Sequence, residues 1–76
     1  MTNEDPRRAL AEAIDRAGGS QAALGRLIGV TQQTISNWLK TKTAAEYVLA
    51  IERATGVPRQ RLRPDIYPPP EEEAAA

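Results

Sequence analysis

The 76-residue sequence contains no cysteine and no histidine. A disulfide is therefore excluded, and so is an ordinary zinc site, whose ligands are cysteine and histidine. Because the commonest general base, a cysteine nucleophile and a glycine-rich phosphate loop are all missing, we expect no enzymatic activity, no metal and no cofactor. No apolar run approaches the length of a membrane span or a signal peptide, which favours a cytoplasmic protein with no membrane partner.

Aromatic residues are scarce, with one tryptophan, two tyrosines and no phenylalanine. Hydrophobic residues nevertheless make up 41% of the chain, so the core must consist mostly of leucine, isoleucine, valine and alanine. A chain of 76 residues allows one domain, with a core near the lower size limit for folding alone.

An excess of charge of one sign is also missing, because ten basic and ten acidic residues cancel. The two signs are unevenly distributed. Residues 1–63 hold all ten basic residues and six of the ten acidic ones, which gives this part a net charge of +4. The other four acids follow as Asp65, Glu71, Glu72 and Glu73. A basic body with an acidic tail is compatible with phosphate binding, although charge alone does not identify a nucleic-acid partner.

Start and stop signals predict five helices. Asp5 before Pro6 is an N-cap followed by proline at the first helical position, and Gly18-Gly19 ends this helix. Ser20 caps the second helix and Gly29 ends it. The predicted helices cover residues 6–17, 21–28, 31–41, 44–55 and 59–62.

The second half of the chain carries weaker signals. Thr43 and Glu46 form a capping-box pattern for the fourth helix, Gly56 ends it, and Pro58 suits the first position of the short fifth helix. Residues 65–67 are the sole strand candidate, because prolines flank them. Residues 71–76 are too polar and too small to bury, so we expect disorder there.

Apolar residues at spacings of three and four define the inner helix faces. The expected core residues are Leu10, Ala13, Ile14, Ala17, Leu24, Leu27, Ile28, Ile35, Trp38, Leu39, Val48, Ile51 and either Ala54 or Thr55. Glu12 and Asp15 are three residues apart on the first helix, but Arg8 and Arg16 flank Glu12 at i−4 and i+4. Surface ion pairs explain these carboxylates better than acid–base chemistry.

The segment 21–40 is a helix-turn-helix pattern. Gly29 occupies the position where the chain needs a left-handed residue, and the turn to Thr31, the next N-cap, is about three residues long. Gly25 lies in the middle of the first of these helices, where a close crossing requires a small residue. Val30 can fill the corner between the two apolar faces.

With Ile35 and Trp38 buried, the third helix presents an unusual outer face, because an ordinary solvated face carries more Glu–Lys pairs. Its outward residues are Gln32, Gln33, Ser36, Asn37 and Lys40. A major-groove recognition helix presents its N-terminal residues to base edges, and glutamine can bond N6 and N7 of adenine. We therefore expect Gln32 and Gln33 to contact bases. Ser36 and Asn37 are equally consistent with base contact or solvation.

The run Thr31-Gln32-Gln33-Thr34-Ile35 resembles the start of the recognition helix in lambdoid phage repressors and Cro proteins, within the Xre-like family. The resemblance implies base contacts by the paired glutamines, a base or phosphate contact by Asn37, and a phosphate contact by Gln21. The segment from residues 45–47 through residues 62–68 resembles small Cro-like regulators grouped with YdaS-type antitoxins. The match covers roughly residues 6–68 and implies a compact, all-α, lambda-repressor-like domain of five helices.

The predicted DNA interface combines base and phosphate contacts. The predicted base contacts are Gln32, Gln33, Ser36 and Asn37. The predicted phosphate contacts are Gln21, Arg26, Thr31, Thr34, Lys40 and Lys42, which lie in or beside the two helices that flank the groove. Arg59, Arg61 and Arg63 are compatible with contacts either to phosphate or to the acidic tail.

Two functions remain open from the sequence. One is a sequence-specific regulator, a Cro-like repressor that binds a double-stranded DNA operator through residues 1–63. We expect it to be a homodimer, with Ile66 and Tyr67 at the dimer contact and residues 64–76 as an extended proline-rich, acidic tail. The other is an antitoxin-type module whose tail folds on a cognate toxin. The two functions can coexist, because many antitoxins repress their own promoters.

Overall fold

The computed structural model describes residues 5–68, so the predicted disorder of residues 71–76 lies outside the described residues. Within that range the fold is entirely helical, as predicted. Five α-helices follow one another along the chain, with a 3₁₀ turn at Ala45–Tyr47 before the fourth. They are α1 Pro6–Arg16, α2 Gln21–Ile28, α3 Gln32–Lys40, α4 Val48–Thr55 and α5 Arg59–Leu62. None of the described helices is long and apolar enough to cross a membrane.

Side-chain caps and glycines fix the helix ends where the sequence predicted them. The carboxylate of Asp5 accepts a hydrogen bond from the backbone N–H of Arg7 at 2.9 Å. The hydroxyl of Ser20 accepts one from the N–H of Ala23 at 3.0 Å. Gly29 and Gly56 both have φ of +82° and end α2 and α4 in the left-handed conformation that glycine adopts most cheaply.

The core is built around α1, which packs against each of the other four α-helices; α2 also packs against α3 and α4, and α5 packs against α4. Trp38 contributes the largest side chain, and its ring centroid lies 5.6 Å from that of Tyr47. On α4, Thr55 rather than Ala54 faces inward: Ala54 is exposed, whereas the Thr55 hydroxyl donates to the carbonyl of Ile51 at 2.8 Å. The buried apolar residues are Ala9, Leu10, Ala13, Leu24, Ile35, Trp38, Val48, Ile51, Val57 and Leu62.

Gly25 permits the tight corner between α2 and α3. A Cβ on this residue would lie 2.5 Å from the carbonyl oxygen of Val30, well inside van der Waals contact. The close approach is therefore to the backbone of the turn. Val30 packs against the core from that turn, as predicted. The N–H groups of Gly29 and Val30 both donate to the carbonyl of Gly25, at 2.8 and 2.9 Å.

The prediction that Leu27 belongs to the core was wrong. Its side chain is 55% exposed, whereas Leu24 is fully buried and Ile28 is half-buried. Leu24, Gly25 and Ile28 lie on the covered side of α2, and Leu27 is at the edge of that side, about 100° around the helix axis from Ile28.

The capping box predicted at Thr43 and Glu46 does not form. Thr43 is 2% exposed, and the residue that precedes the 3₁₀ turn is Ala44, with no side-chain cap. Burial thus removes the Thr43 side chain from the surface position that a capping box requires. The α-helix begins later than predicted, at Val48.

Residues 65–67, the sole strand candidate in the sequence, form a turn. The N–H groups of Ile66 and Tyr67 both donate to the carbonyl of Arg63, at 3.1 and 2.9 Å. These local hydrogen bonds bend the chain after α5, and Tyr67 packs against the core.

One of the two ion pairs predicted on α1 was also wrong. Glu12 pairs with Arg16, as predicted, but its second partner is Arg61 of α5 at 2.7 Å. Within residues 5–68, no ion pair joins Arg8 to Glu12. The carboxylate therefore links α1 to α5 as well as bonding along its own helix.

Candidate nucleic-acid interface

Helix α3 has one buried face and one polar face, because Ile35 and Trp38 anchor it in the core. The polar face is the one expected from the sequence. Gln32, Gln33, Asn37 and Lys40 are exposed, and Ser36 is half-buried. Trp38 is buried, as expected for a core residue, and its ring is therefore not placed to stack on a base.

Two threonines shape the start of α3. The hydroxyl of Thr31 accepts a hydrogen bond from the backbone N–H of Thr34 at 3.1 Å and lies 2.9 Å from the Thr34 hydroxyl. This N-cap satisfies one of the free N–H groups of the first turn. It also sets the direction in which Gln32 and Gln33 leave the helix. Thr31 is exposed and Thr34 half-buried, so both hydroxyls lie at the edge of the candidate surface.

Gln33 and Asn37 are hydrogen-bonded to each other along the exposed face. The Gln33 amide nitrogen donates to the Asn37 side-chain oxygen at 3.2 Å, across one helical turn. A glutamine amide has two N–H donors and one oxygen acceptor. One donor and the acceptor of Gln33 therefore remain available, and these are the two groups that a bidentate contact to adenine uses.

Helix α2 contributes two of the predicted phosphate contacts. Gln21 is its first residue and is half-buried, whereas Arg26 lies near its end and is exposed. Five residues correspond to a rotation of about 140° around a helix axis. The two side chains therefore leave α2 on different sides, and the structure does not bring them together on one face.

Lys40 and Lys42 extend the candidate surface beyond the end of α3. Both are exposed. Between them, Thr41 closes the helix: its hydroxyl donates to the carbonyl of Asn37 at 2.8 Å. Lys42 also lines a small open cavity of about 340 Å³, together with residues of the α1 start and of the segment after α5.

Ion pairing divides the basic residues into two groups. Arg59, Arg61 and Arg63 pair with Glu52, Glu12 and Asp65, at 2.8, 2.7 and 2.7 Å. Carboxylates of residues 12–65 therefore already engage the three arginines whose partners the sequence left open. Within residues 5–68, no carboxylate lies at ion-pair distance from Arg26, Lys40 or Lys42.

The sequence carries a further signal that its net charge conceals. Between Asp15 and Glu46 there is no acidic residue, and this interval contains α2, the turn, α3 and the linker that follows. Its four cations are Arg16, Arg26, Lys40 and Lys42. The net charge of residues 1–63 conceals the positive charge of this interval, because that sum also includes the acidic residues of α1 and α4.

Within residues 5–68, three carboxyl groups have lowered pKa values, and each of them forms an ion pair with an arginine. A hydrogen bond from the Arg7 side chain lowers the pKa of Asp5 to about 2, and one from Arg63 does the same for Asp65. A hydrogen bond from Arg61 lowers the pKa of Glu12. All three side chains thus favour the charged form in the fold, on surfaces outside α3.

Ile66 and Tyr67, the predicted dimer contact, differ in their surroundings. Tyr67 packs against the core of its own chain, and the Arg59 guanidinium lies 5.7 Å from the centre of its ring. Ile66 is 42% exposed. Leu62, at the end of α5, is fully buried.

The acidic residues of the described range are dispersed. No group of three or more Asp or Glu side chains within residues 5–68 is placed to hold a metal ion.

Comparisons with known proteins show the family of the chain. Residues 10–71 match the family described as "Bacterial toxin YdaS", and the chain belongs to that family. The "Gene 30 protein" of Enterobacteria phage phi80 is 41% identical over 61 residues, which cover 76% of this chain and 82% of the phage protein.

A second relative comes from a bacterial genome. The "Putative transcriptional regulator YdaS" of Escherichia coli strain K12 is 44% identical over 52 residues, which cover 63% of this chain and 53% of the relative. The chain thus matches about half the length of that protein. No solved structure matches the chain significantly.

Proposed function

We propose that the chain is a sequence-specific DNA-binding transcriptional regulator, a Cro-like repressor, that places α3 in the major groove. The main support is the exposed face of α3, which carries amide and hydroxyl side chains in a stretch of 30 residues without an acid. Such a surface has donors and acceptors for base edges and no carboxylate to repel phosphates. The name of the E. coli relative agrees with this function.

In this proposal Gln32 and Gln33 contact base edges at the start of α3. Asn37 and Ser36 extend the contact by one turn. The bond between Gln33 and Asn37 leaves a donor and the acceptor of Gln33 available for a contact to adenine. Sequence preference therefore depends mainly on uncharged side chains.

Phosphate contacts hold the helix in register in the same proposal. Lys40, Lys42 and Arg26 lie in or beside α2 and α3, and none of them has an ion pair within residues 5–68, a property that they share with Arg8 and Arg53. Gln21, Thr31 and Thr34 add polar contacts at the starts of α2 and α3. A homodimer with Ile66 at its contact would bind two half-sites related by two-fold symmetry.

Selection of bound sequences from random duplex DNA tests the proposal, followed by the salt dependence of affinity for the selected duplex. We expect a two-fold symmetric motif and an affinity that falls steeply with salt. No enrichment at any salt concentration would overturn the proposal. An enriched motif without two-fold symmetry would retain DNA binding and overturn the homodimer.

A second function is supported by the family description, which names a toxin where the sequence resemblance named antitoxins. In that case the chain is one partner of a toxin–antitoxin pair and the C-terminal segment contacts the other. The test is to remove residues 69–76, because removing residues 64–76 would also remove Tyr67 from the core. Loss of partner capture with retained DNA binding would support this function, whereas unchanged capture would exclude a role of the segment.

A further inference from the structure

The linker after α3, residues 41–43, is held by hydrogen bonds on both sides of Lys42. On one side, the Thr41 N–H and hydroxyl both bond the carbonyl of Asn37, at 3.0 and 2.8 Å. On the other side, the Arg63 guanidinium donates to the carbonyl of Thr43 at 2.7 Å, across 20 residues of sequence. The Thr43 side chain is itself buried. Lys42 is therefore an exposed side chain on a short segment with little freedom to move.

Arg63 is in turn held by Asp65. Its Nε and Nη2 atoms donate to the two carboxylate oxygens at 2.9 and 2.7 Å, the paired geometry in which arginine binds carboxylates most strongly. The Arg63 side chain is only 13% exposed. The chain also folds back on Arg63, because the N–H groups of Ile66 and Tyr67 donate to its carbonyl. Asp65, Arg63 and Thr43 thus form a chain of hydrogen bonds that ends at the linker.

We infer that Arg63 and Asp65 are positioning residues for DNA binding: together they hold the linker so that Lys42 is preset to contact a backbone phosphate. The inference rests on the proposed function and adds residues that touch no DNA themselves. A preset lysine loses less conformational freedom when it binds a phosphate, and so contributes more to affinity than the same lysine on a loose loop. Because phosphate contacts carry no sequence information, the effect is the same for every operator sequence.

The hydrogen bonds from Arg63 to Asp65 and to the carbonyl of Thr43 form a clamp on the linker. This clamp and simple electrostatics predict opposite effects of Asp65→Asn on DNA affinity. Asp65 lies near Lys42, so removing its negative charge should by itself strengthen the attraction to DNA. If the clamp positions Lys42, the same substitution releases Arg63 and weakens binding. Each phosphate contact changes the slope of log affinity against log salt by about 0.9. We therefore expect roughly threefold to tenfold weaker binding and a shallower salt slope, with sequence preference unchanged.

The experiment titrates the full chain and its variants with the selected duplex over a series of salt concentrations. Glu46→Gln is the matched control, since it removes an exposed carboxylate that has no ion pair within residues 5–68. It should leave binding unchanged or slightly tighter. Asp65→Asn combined with Lys42→Ala should bind no more weakly than Lys42→Ala alone, because the clamp acts through that lysine. Asp65 is exposed, so Asp65→Asn removes no buried side chain, and thermal unfolding checks that each variant is folded.

The outcomes separate this inference from the proposed function. Tighter binding by Asp65→Asn would overturn the positioning role alone. So would a loss of affinity from Asp65→Asn that persists in the Lys42→Ala background. If the wild-type chain binds no duplex at all, the proposed function fails and this inference fails with it. Weaker binding that depends on Lys42 would support both.

Discussion

The carbonyl oxygen of Val30 lies over Gly25, 2.5 Å from the point where a Cβ on that glycine would stand. This contact sets how closely the turn folds back on α2, and through the turn it sets the placement of α3. The candidate interface thus depends on the absence of a single methyl group. No other described glycine has a backbone atom so close to its missing Cβ.

Gly25→Ala is therefore expected to destabilise the domain, although alanine favours a helix by about 0.5–1 kcal/mol over glycine. Overpacking against a backbone atom costs about 1–3 kcal/mol, because the carbonyl cannot rotate away as a side chain could. Urea unfolding at neutral pH measures the difference. As a control, Gly29→Asn has space around it and a left-handed backbone that asparagine tolerates, so it should cost less. A more stable Gly25→Ala variant would contradict the close contact.

Leu24 and Leu27 provide a second test, because they are three residues apart on α2 and differ in burial. Leu24→Ala removes a fully buried side chain and should cost about 2–5 kcal/mol of unfolding free energy. Leu27→Ala removes one that is 55% exposed and should cost less than about 0.5 kcal/mol. Denaturant unfolding of the two variants decides. Equal losses would mean that Leu27 is covered in solution.

Acid should destabilise the fold through Asp5, Glu12 and Asp65. The pKa of each is lower in the fold than in the unfolded chain, so the unfolded chain binds more protons as the pH falls. Their stabilisation is complete above the unfolded pKa values of about 4 and is lost as the pH falls towards 2. The urea concentration at the unfolding midpoint, measured from pH 7 to pH 2, should decrease mainly within this pH range.

Substitution identifies the carboxyl groups responsible for that acid dependence. Asp5→Asn should lower the urea midpoint of unfolding at neutral pH. It should therefore reduce the gap between the midpoints at neutral and at acid pH. Asp15→Asn is the matched control on the same helix, because Asp15 has no ion pair within residues 5–68. It should leave the gap unchanged. The assignment fails if both variants behave alike.

Much of the fold follows from short-range signals in the sequence. Helix starts are fixed by local hydrogen bonds to the N-caps Asp5, Ser20 and Thr31, with Pro6 at the first position of α1. Helix ends are fixed by the left-handed glycines Gly29 and Gly56, and both signals depend little on the rest of the chain. The polar face of α3 was predictable for the same reason. Burial of Ile35 and Trp38 determines, through the helical period, which residues face outward.

The features that were not predicted depend on contacts between distant residues. Periodicity placed Leu27 on the apolar face, but it could not tell how far the neighbouring helices extend over α2. The capping box at Thr43 is a local pattern that tertiary packing overrides, because the Thr43 side chain is buried and its carbonyl bonds Arg63. The partners of Arg59 and Arg61 could not be chosen from the sequence, since Glu52 and Glu12 lie 7 and 49 residues away.

Gln33 is the residue at which the proposed base recognition is most directly tested. Gln33→Ala should weaken binding to the preferred operator by about 1–3 kcal/mol and relax the preference at one base position. It should leave the salt slope unchanged, because the side chain contacts no phosphate in the proposal. Gln60→Ala is the matched control: the same substitution on α5, which lies outside the candidate surface. Affinities on matched and singly mismatched duplexes provide the measurement. If the ratio of the two affinities is unchanged in Gln33→Ala, this glutamine does not determine sequence preference, and the bond to Asn37 serves only to stabilise α3.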